Sequence, residues 1–404
     1  MYLKILLVGQ LNYFTMINFE NTEIAFAYRS NSELSKAKLL FKSVASPFVV
    51  KLGSTMLKLA TFLHIPVRWA VKPTIFKHFV GGESLKECTP VVEILSRYNV
   101  KSILDYSVEG KSSPTEMERA YNEIMSSVSF AASNPNVVFS VFKPTGLIDV
   151  NVLTLVSEGK SLNQAQQQQY NLFLSRVDNL CAAAAQSGKP ILIDAEDSWY
   201  QKALDEIIEG MMAKYNTNQA VVFNTLQMYR TDRFDYLKAA HKRALDKGYV
   251  LGMKYVRGAY MEKERERAAR MGYVSPICET KAATDKNFND AIKYSVSNID
   301  TITTFCGTHN QDSVNYLVCL MESNGIAPND SRIYFSQLYG MSDNLSFNLA
   351  AAGYNVAKYV PYGPVKHVMP YLIRRAEENT SVKGQTGREL ALIKTEIRRR
   401  RRSR

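Results

Sequence analysis

From residue 100 onward, short runs of β-branched, aliphatic and aromatic residues alternate with longer amphipathic stretches. The runs are VKSILDYS (100–107), VVFSVFKP (137–144), PILIDAE (190–196), AVVFNTLQ (220–227), YVLGMKYVRG (249–258), TITTFCGTH (301–309), RIYFSQLY (332–339) and NVAKYVPYG (355–363). Near-continuous apolar runs of this length read as parallel strands covered on both faces. The stretches between them carry helix starts and stops. Pro114-Thr115-Glu116 opens one helix, while Asp178–Gln186, Asp232–Asp246 and Glu262–Arg270 close on Gly188, Gly248 and Gly272. Glycine just past a helix end takes the left-handed conformation that other residues resist. Gln166–Gln169 falls within such a stretch. Strand–helix alternation repeated eight times predicts an α/β fold, a distorted (β/α)8 TIM-like barrel with an N-terminal helical extension. A doubly wound open sheet is the rival, but no GxGxxG turn follows a strand, and Gly81-Gly82 lacks the strand before it.

The pattern divides the chain into a helical segment over 1–95, a barrel over 96–390 and a basic tail over 391–404. Phe48, Leu52, Met56, Leu59 and Leu63 recur as one helix face, with Lys51 and Lys58 off it. That spacing predicts a core-packing helix over 47–65, a membrane-surface helix being the alternative. Residues 1–15 make a poor signal peptide, and a start at Met16 explains them equally well. No apolar run reaches transmembrane length.

A 46% apolar and 22% charged composition is ordinary for a protein with a large core. The net charge of +12 changes meaning once located, because Arg398–Arg402 and Arg404 supply half of it. The body is only mildly basic, so nucleic acid is not an expected partner, and the tail is expected to be frayed and solvated. Five cysteines without CxxC spacing point to a reducing compartment and away from a disulfide framework or zinc site.

Chemistry in this barrel type lies at the C-terminal ends of the strands. Those ends present Glu109, Lys143, Asp194 with Glu196, Gln227 with Tyr229, Lys254 with Arg257 and Tyr260, His309 with Asn310, Gln337 with Leu338, and Tyr359. After the eighth run, a Pro-Gly-Pro turn leads into a helix where Tyr371 stands three and four residues before Arg374 and Arg375. Residues at that spacing share a helix face, and paired guanidinium forks suit a small carboxylate. No HExxH, Ser-His-Asp order or metal cluster stands out. On residue types alone, a flavin enzyme and a Schiff-base lyase using Lys143 or Lys254 remain level. A lipid- or nucleic-acid-binding protein acting through its arginine tail is the non-enzymatic alternative.

In order along the chain stand FKPTGL (142–147), IDAED (193–197), TLQMY (225–229), GMKYVRGAYMEKERERA (252–268), ATDKNF (283–288), GTHN (307–310), QLYGM (337–341) and KYVPYGPVKHVMPYLIRRAEENTS (358–381). With these motifs the chain resembles the proline dehydrogenase family from about residue 100 to 385, in the single-function form found in eukaryotes and some bacteria. The resemblance implies FAD held noncovalently over the strand ends. It implies oxidation of L-proline to Δ1-pyrroline-5-carboxylate by hydride transfer from C5 to flavin N5, with a hydroxyproline dehydrogenase as the close variant.

The resemblance also implies residue roles. Arg374, Arg375 and Lys143 would bind the substrate carboxylate, while Tyr359, Tyr371, Tyr260 and Leu338 would close the pocket. Asp194, Thr225 and Gln227 would meet the isoalloxazine, with Lys254 beside N5 where bifunctional bacterial members carry arginine. Lys281 and Thr284 would reach phosphate and ribose, Thr308 and His309 the adenine end, and Glu378 would anchor the cofactor. Arg257, Gly258, Ala259 and Gln337 complete the cofactor set. The implied partners are a quinone acceptor, a peripheral membrane contact and a separate pyrroline-5-carboxylate dehydrogenase. The implied location is the cytoplasm or the inner membrane, mitochondrial in a eukaryote.

Overall fold

All eight apolar runs form parallel strands, each paired with the next and the last with the first. They are β1 (Val100–Tyr106), β2 (Val137–Phe142), β3 (Ile191–Ile193), β4 (Val222–Gln227), β5 (Leu251–Val256), β6 (Ile302–Gly307), β7 (Ile333–Leu338) and β8 (Val356–Tyr362). The computed structural model describes residues 17–46, 48, 51, 53, 55, 68–107, 113–381 and 385–403. The shortest strand, β3, is bounded by Pro190, which has no N–H to give, and by an acidic turn. Helices follow the strands on the outside, and Gly188, Gly248 and Gly272 close three of them with φ of 66°, 71° and 73°.

Side chains alternate across each strand, so one set fills the barrel and the other packs against the helices. Inside, Phe139 meets Phe223, Phe305 and Tyr334 edge-on, with ring centroids 5.5, 5.1 and 4.9 Å apart. Ile103, Val141, Leu192 and Ala357 complete this plug. The plug closes the barrel below the strand ends.

The basic tail departs from expectation. Gln385–Arg402 is one helix, with Leu392 and Ile393 buried against Phe26 and Phe41 of the N-terminal arm. Leu390, Ile393 and Ile397 recur at helical spacing, and Glu396, fully buried, receives the arginines. Arg399 and Arg400 donate to its carboxylate. Arg400 also donates to the Phe26 and Arg29 carbonyls, each at 2.8 Å. The arginine run is thus partly a helix C-terminus held by tertiary contacts, where positive charge is favoured.

The arm itself comprises helices Thr22–Ala25 and Asn31–Val44, the second opened by a Ser30/Glu33 capping box. Most of the helix expected over 47–65 lies outside the described residues, as do residues 1–15 and Glu109; Phe48 is exposed. Among the described residues, no helix is long and apolar enough to cross a membrane.

Candidate active site

Period-two alternation carries the inward face of β2 from Phe139 through Val141 to Lys143, just past the strand end. There Lys143 Nζ meets Asp105 at 2.9 and 2.8 Å and lies 3.7 Å from Asp194 Oδ2. Lys254, on the inward face of β5, donates to Asp194 Oδ1 at 2.5 Å. Tyr359, from β8, donates to Asp194 Oδ2 at 2.7 Å, and its hydroxyl lies 3.3 Å from Lys143 Nζ. Four strands and the β3 turn therefore deliver two ammonium groups, two carboxylates and a phenol into one buried network.

The electrostatics follow from that pairing. Burial pushes the Asp194 carboxyl up, but Lys254, Lys143 and the hydrogen bonds from Lys254 and Tyr359 outweigh it and hold it below the usual range. Burial and the neighbouring Asp105 and Asp194 push the Tyr359 phenol well above its ordinary value, so it remains a donor. Each lysine is matched by a carboxylate. A Schiff-base lysine is activated by cationic neighbours or desolvation, so this network does not favour the lyase reading.

A second set lies over β5 and β6. Arg257 donates to Asp285 through Nε at 2.8 Å and through Nη2 at 2.6 Å. It also donates to Thr308 Oγ1 at 2.5 Å and to Ser313 Oγ at 2.9 Å. Lys281 pairs with Asp285 from the first turn of the helix Lys281–Ser297, whose N-terminus favours anions. Thr284, one turn in, is buried. Gln227 Nε2 donates to Glu196 O at 2.6 Å, and Gln227 Oε1 accepts from Ala259 N at 3.4 Å. Gly258 takes φ 131° with the Tyr229 ring 2.5 Å from where a Cβ would stand, so no larger residue fits.

The helix Val365–Ser381 supplies the arginines. Arg375 and Tyr371 are buried, and the Arg375 guanidinium carbon lies 5.4 Å from the Tyr371 ring centre. The Arg374 guanidinium carbon stands 5.2 Å from the Tyr260 ring centre. Tyr260 therefore joins the β5 turn to the arginine pair. Leu338, at the end of β7, bridges the barrel plug and the cluster that contains Tyr371.

Three positions depart from the strand-end reading. Gln337 faces outward, donating to Thr308 O at 3.1 Å and accepting from Ser346 Oγ at 2.7 Å. Since Leu338 faces in, alternation requires this. Asn310 caps the helix Gln311–Ser323, accepting from the Asp312 and Ser313 amides. Glu196 accepts from Thr145 N and Oγ1, at 3.0 and 2.5 Å, and so braces the turn after Lys143. Glu378 belongs to the arginine helix, but its side chain lies outside the described residues. One residue was missed: Asp105, fully buried, two positions past Ile103 on the inward face of β1. An acid inside the run SILDYS was the available signal.

A closed (β/α)8 barrel with a buried polar network above its plug defines an enzyme working at the C-terminal strand ends. Comparison with known proteins gives the family. The proline dehydrogenase family model matches residues 88–388. Proline dehydrogenase 1, mitochondrial, from Dictyostelium discoideum is 32% identical over 426 residues, covering 94% of this chain and 74% of that protein. Hydroxyproline dehydrogenase from Xenopus laevis is 28% identical over 412 residues, covering 93% and 88%. The crystal structure of proline utilization A (PutA) from Bdellovibrio bacteriovorus aligns with a TM-score of 0.68 at 20% identity. That alignment covers 90% of this chain but only 37% of the PutA chain. The chain belongs to the proline dehydrogenase family, and its class is oxidoreductase.

Proposed function

We propose that the protein oxidises L-proline to Δ1-pyrroline-5-carboxylate with noncovalent FAD and passes the electrons to a quinone. The observation that carries this reading is the buried Lys143–Asp105–Tyr359–Asp194–Lys254 network, set in a barrel whose final helix presents Arg374 and Arg375. When bound, FAD would accept a hydride from C5 of proline at N5.

The residues present fit that group. Thr225 Oγ1 is buried above the barrel plug without a hydrogen-bond partner among the described residues, as expected of an atom awaiting a heterocycle. Arg257, Lys281 and the N-terminus of the helix Lys281–Ser297 form a donor set suited to a diphosphate. Lys254 would stand beside the isoalloxazine, with Asp194 and Gln227 at its polar edge. Thr284, Thr308 and His309 would take the adenosine end, joined by Gly258, Ala259 and Glu378.

Within the pocket, Arg375, Arg374 and Lys143 would bind the carboxylate and so fix the ring. Orientation of this kind lowers the barrier by removing translational and rotational freedom in advance. Tyr371, Tyr260, Leu338 and Tyr359 would close around the ring and exclude water. The proline nitrogen must lose a proton, which nearby cations favour, and solvent water takes it before the pocket closes. The electrons leave through a peripheral contact with the inner membrane, mitochondrial in a eukaryote, and a separate pyrroline-5-carboxylate dehydrogenase consumes the product.

The first test is the visible spectrum of purified protein before and after anaerobic addition of L-proline. Flavin bands that bleach are expected. A flavin that stays oxidised would move the question to another amine, and a protein that takes up no FAD would end this reading. Substrate choice has its own test. The Tyr359 hydroxyl is pinned by Asp194 at 2.7 Å and would crowd a substituent at ring C4. Tyr359→Phe is therefore expected to raise the kcat/KM ratio of 4-hydroxyproline to proline severalfold. An unchanged ratio would remove this tyrosine from the choice.

A further inference from the structure

The turn after β7, residues 339–342, contributes no group to the proposed chemistry, yet it is gripped from several elements. His78 Nε2 lies 2.9 Å from Gly340 O. Gly340 has φ 79°, and a Cβ there would approach His78 O to 2.3 Å. Lys358, fully buried on the outer face of β8, donates to Met341 O at 2.5 Å. Asp343, next along, takes Lys358 at 2.9 Å, Arg29 at 3.0 Å and the Tyr28 hydroxyl at 2.7 Å.

The centre of this grip is Ser342. It is buried and holds φ 49°, ψ 43°, a left-handed conformation that L-residues resist unless their surroundings impose it. Its amide donates to Glu389 Oε1 at 2.6 Å. Its hydroxyl stands 2.9 Å from His309 Nδ1. Burial, then Lys358, Arg375 and Arg257, push the His309 imidazole down to about 3, so the ring is neutral. With Nδ1 occupied by Ser342, Nε2 is the ring's other hydrogen-bonding atom. Glu389 is rigidly presented, because its helix is anchored by Leu392, Ile393 and the buried Glu396.

We propose that Glu389, on the C-terminal helix, is a positioning residue for the adenosine end of the cofactor. Its carboxylate holds Ser342 in the left-handed conformation, and the Ser342 hydroxyl then sets the imidazole of His309. The inference rests on the reading of His309 as an FAD contact. It makes the last helix part of the binding site although none of its described residues faces the strand-end network.

The test is titration of apoprotein with FAD, followed by quenching of flavin fluorescence, with denaturation of the apoprotein measured alongside. Glu389→Ala is expected to raise the FAD Kd about tenfold, the scale of one buried hydrogen bond. Glu389→Gln, which keeps an oxygen for the Ser342 amide, should restore most of the affinity. Ser342→Ala should weaken FAD by a similar factor, and adding Glu389→Ala to it should weaken FAD no further. If Glu389→Ala and Ser342→Ala lower only the denaturation midpoint and leave Kd unchanged, Glu389 is a structural residue and the proposal falls. Additive losses in the double variant would also overturn it, since they would mean independent routes. A wild-type apoprotein that binds no FAD would defeat the cofactor reading itself, an outcome distinct from these.

Discussion

Arg375→Met is expected to keep its flavin and lose most of its hold on proline. Arg375 is buried and stacked on Tyr371, so its guanidinium is oriented before substrate arrives. A carboxylate brought into such a site depends on charge-assisted, geometrically fixed hydrogen bonds. Removing one partner of a desolvated pair costs about 2–5 kcal/mol, or about 30- to 4,000-fold in the proline KM. Lys143 can compensate only weakly, because Asp105 and Asp194 already share its charge. Arg374, more exposed and lying against Tyr260, should show a smaller effect when replaced in the same way. The flavin-to-protein absorbance ratio and steady-state kinetics with proline check both halves of the expectation. Proline kinetics unchanged in Arg375→Met would defeat the carboxylate assignment, whereas loss of flavin would mean that Arg375 serves the cofactor.

The sequence carried the barrel because a parallel sheet buried on both faces cannot hide its strands. Each run is predominantly apolar, and polar residues gather at or just before its end. The same rule exposed Lys143 and Asp194, which stand just past the ends of β2 and β3, and Lys254 and Tyr359, polar breaks in the later part of the β5 and β8 runs. Asp105 escaped it by lying inside its strand, where only the register with Ile103 shows that it points inward. Lys358 escaped for another reason. It sits beside Tyr359 but faces outward, and its partners come from positions 338, 341 and 343, which no local pattern joins. The last helix was hidden by composition. A run of arginines suggests a solvated tail until Leu390, Ile393, Glu396 and Ile397 are placed on one face. Long-range burial of charge, rather than strand or helix propensity, is what sequence reading missed.

That buried charge sets the largest expected effect on stability. Asp343→Ala would take from the fully buried Lys358 its ion-pair partner, leaving it the Leu338 and Met341 carbonyls and the field of Glu389, and would take from Arg29 its carboxylate. Breaking a buried pair by removing one member costs about 3–5 kcal/mol, because an uncompensated charge remains. In a barrel of this size that is a fall in Tm of about 4–8 °C. Adding Lys358→Met should recover part of the loss, since the orphaned charge is then gone. The pH dependence carries a sign. Burial raises the Asp343 carboxyl, but Lys358 and Arg29 outweigh it and hold it low. Its contribution is therefore present above the unfolded carboxylate range and lost as pH falls through the depressed folded value. Glu389 runs the other way. Burial, then Asp343, raise it from 4.5 to about 7. The folded state keeps this proton longer, so the stability tied to it is full below 4.5 and is lost as pH rises through about 7. Denaturant titrations across pH should accordingly show an acid limb that Asp343→Ala flattens and a neutral limb that Glu389→Gln flattens. A loss in Asp343→Ala within the ~0.5 kcal/mol of an ordinary surface change would mean that the chain's two ends are not held through this network.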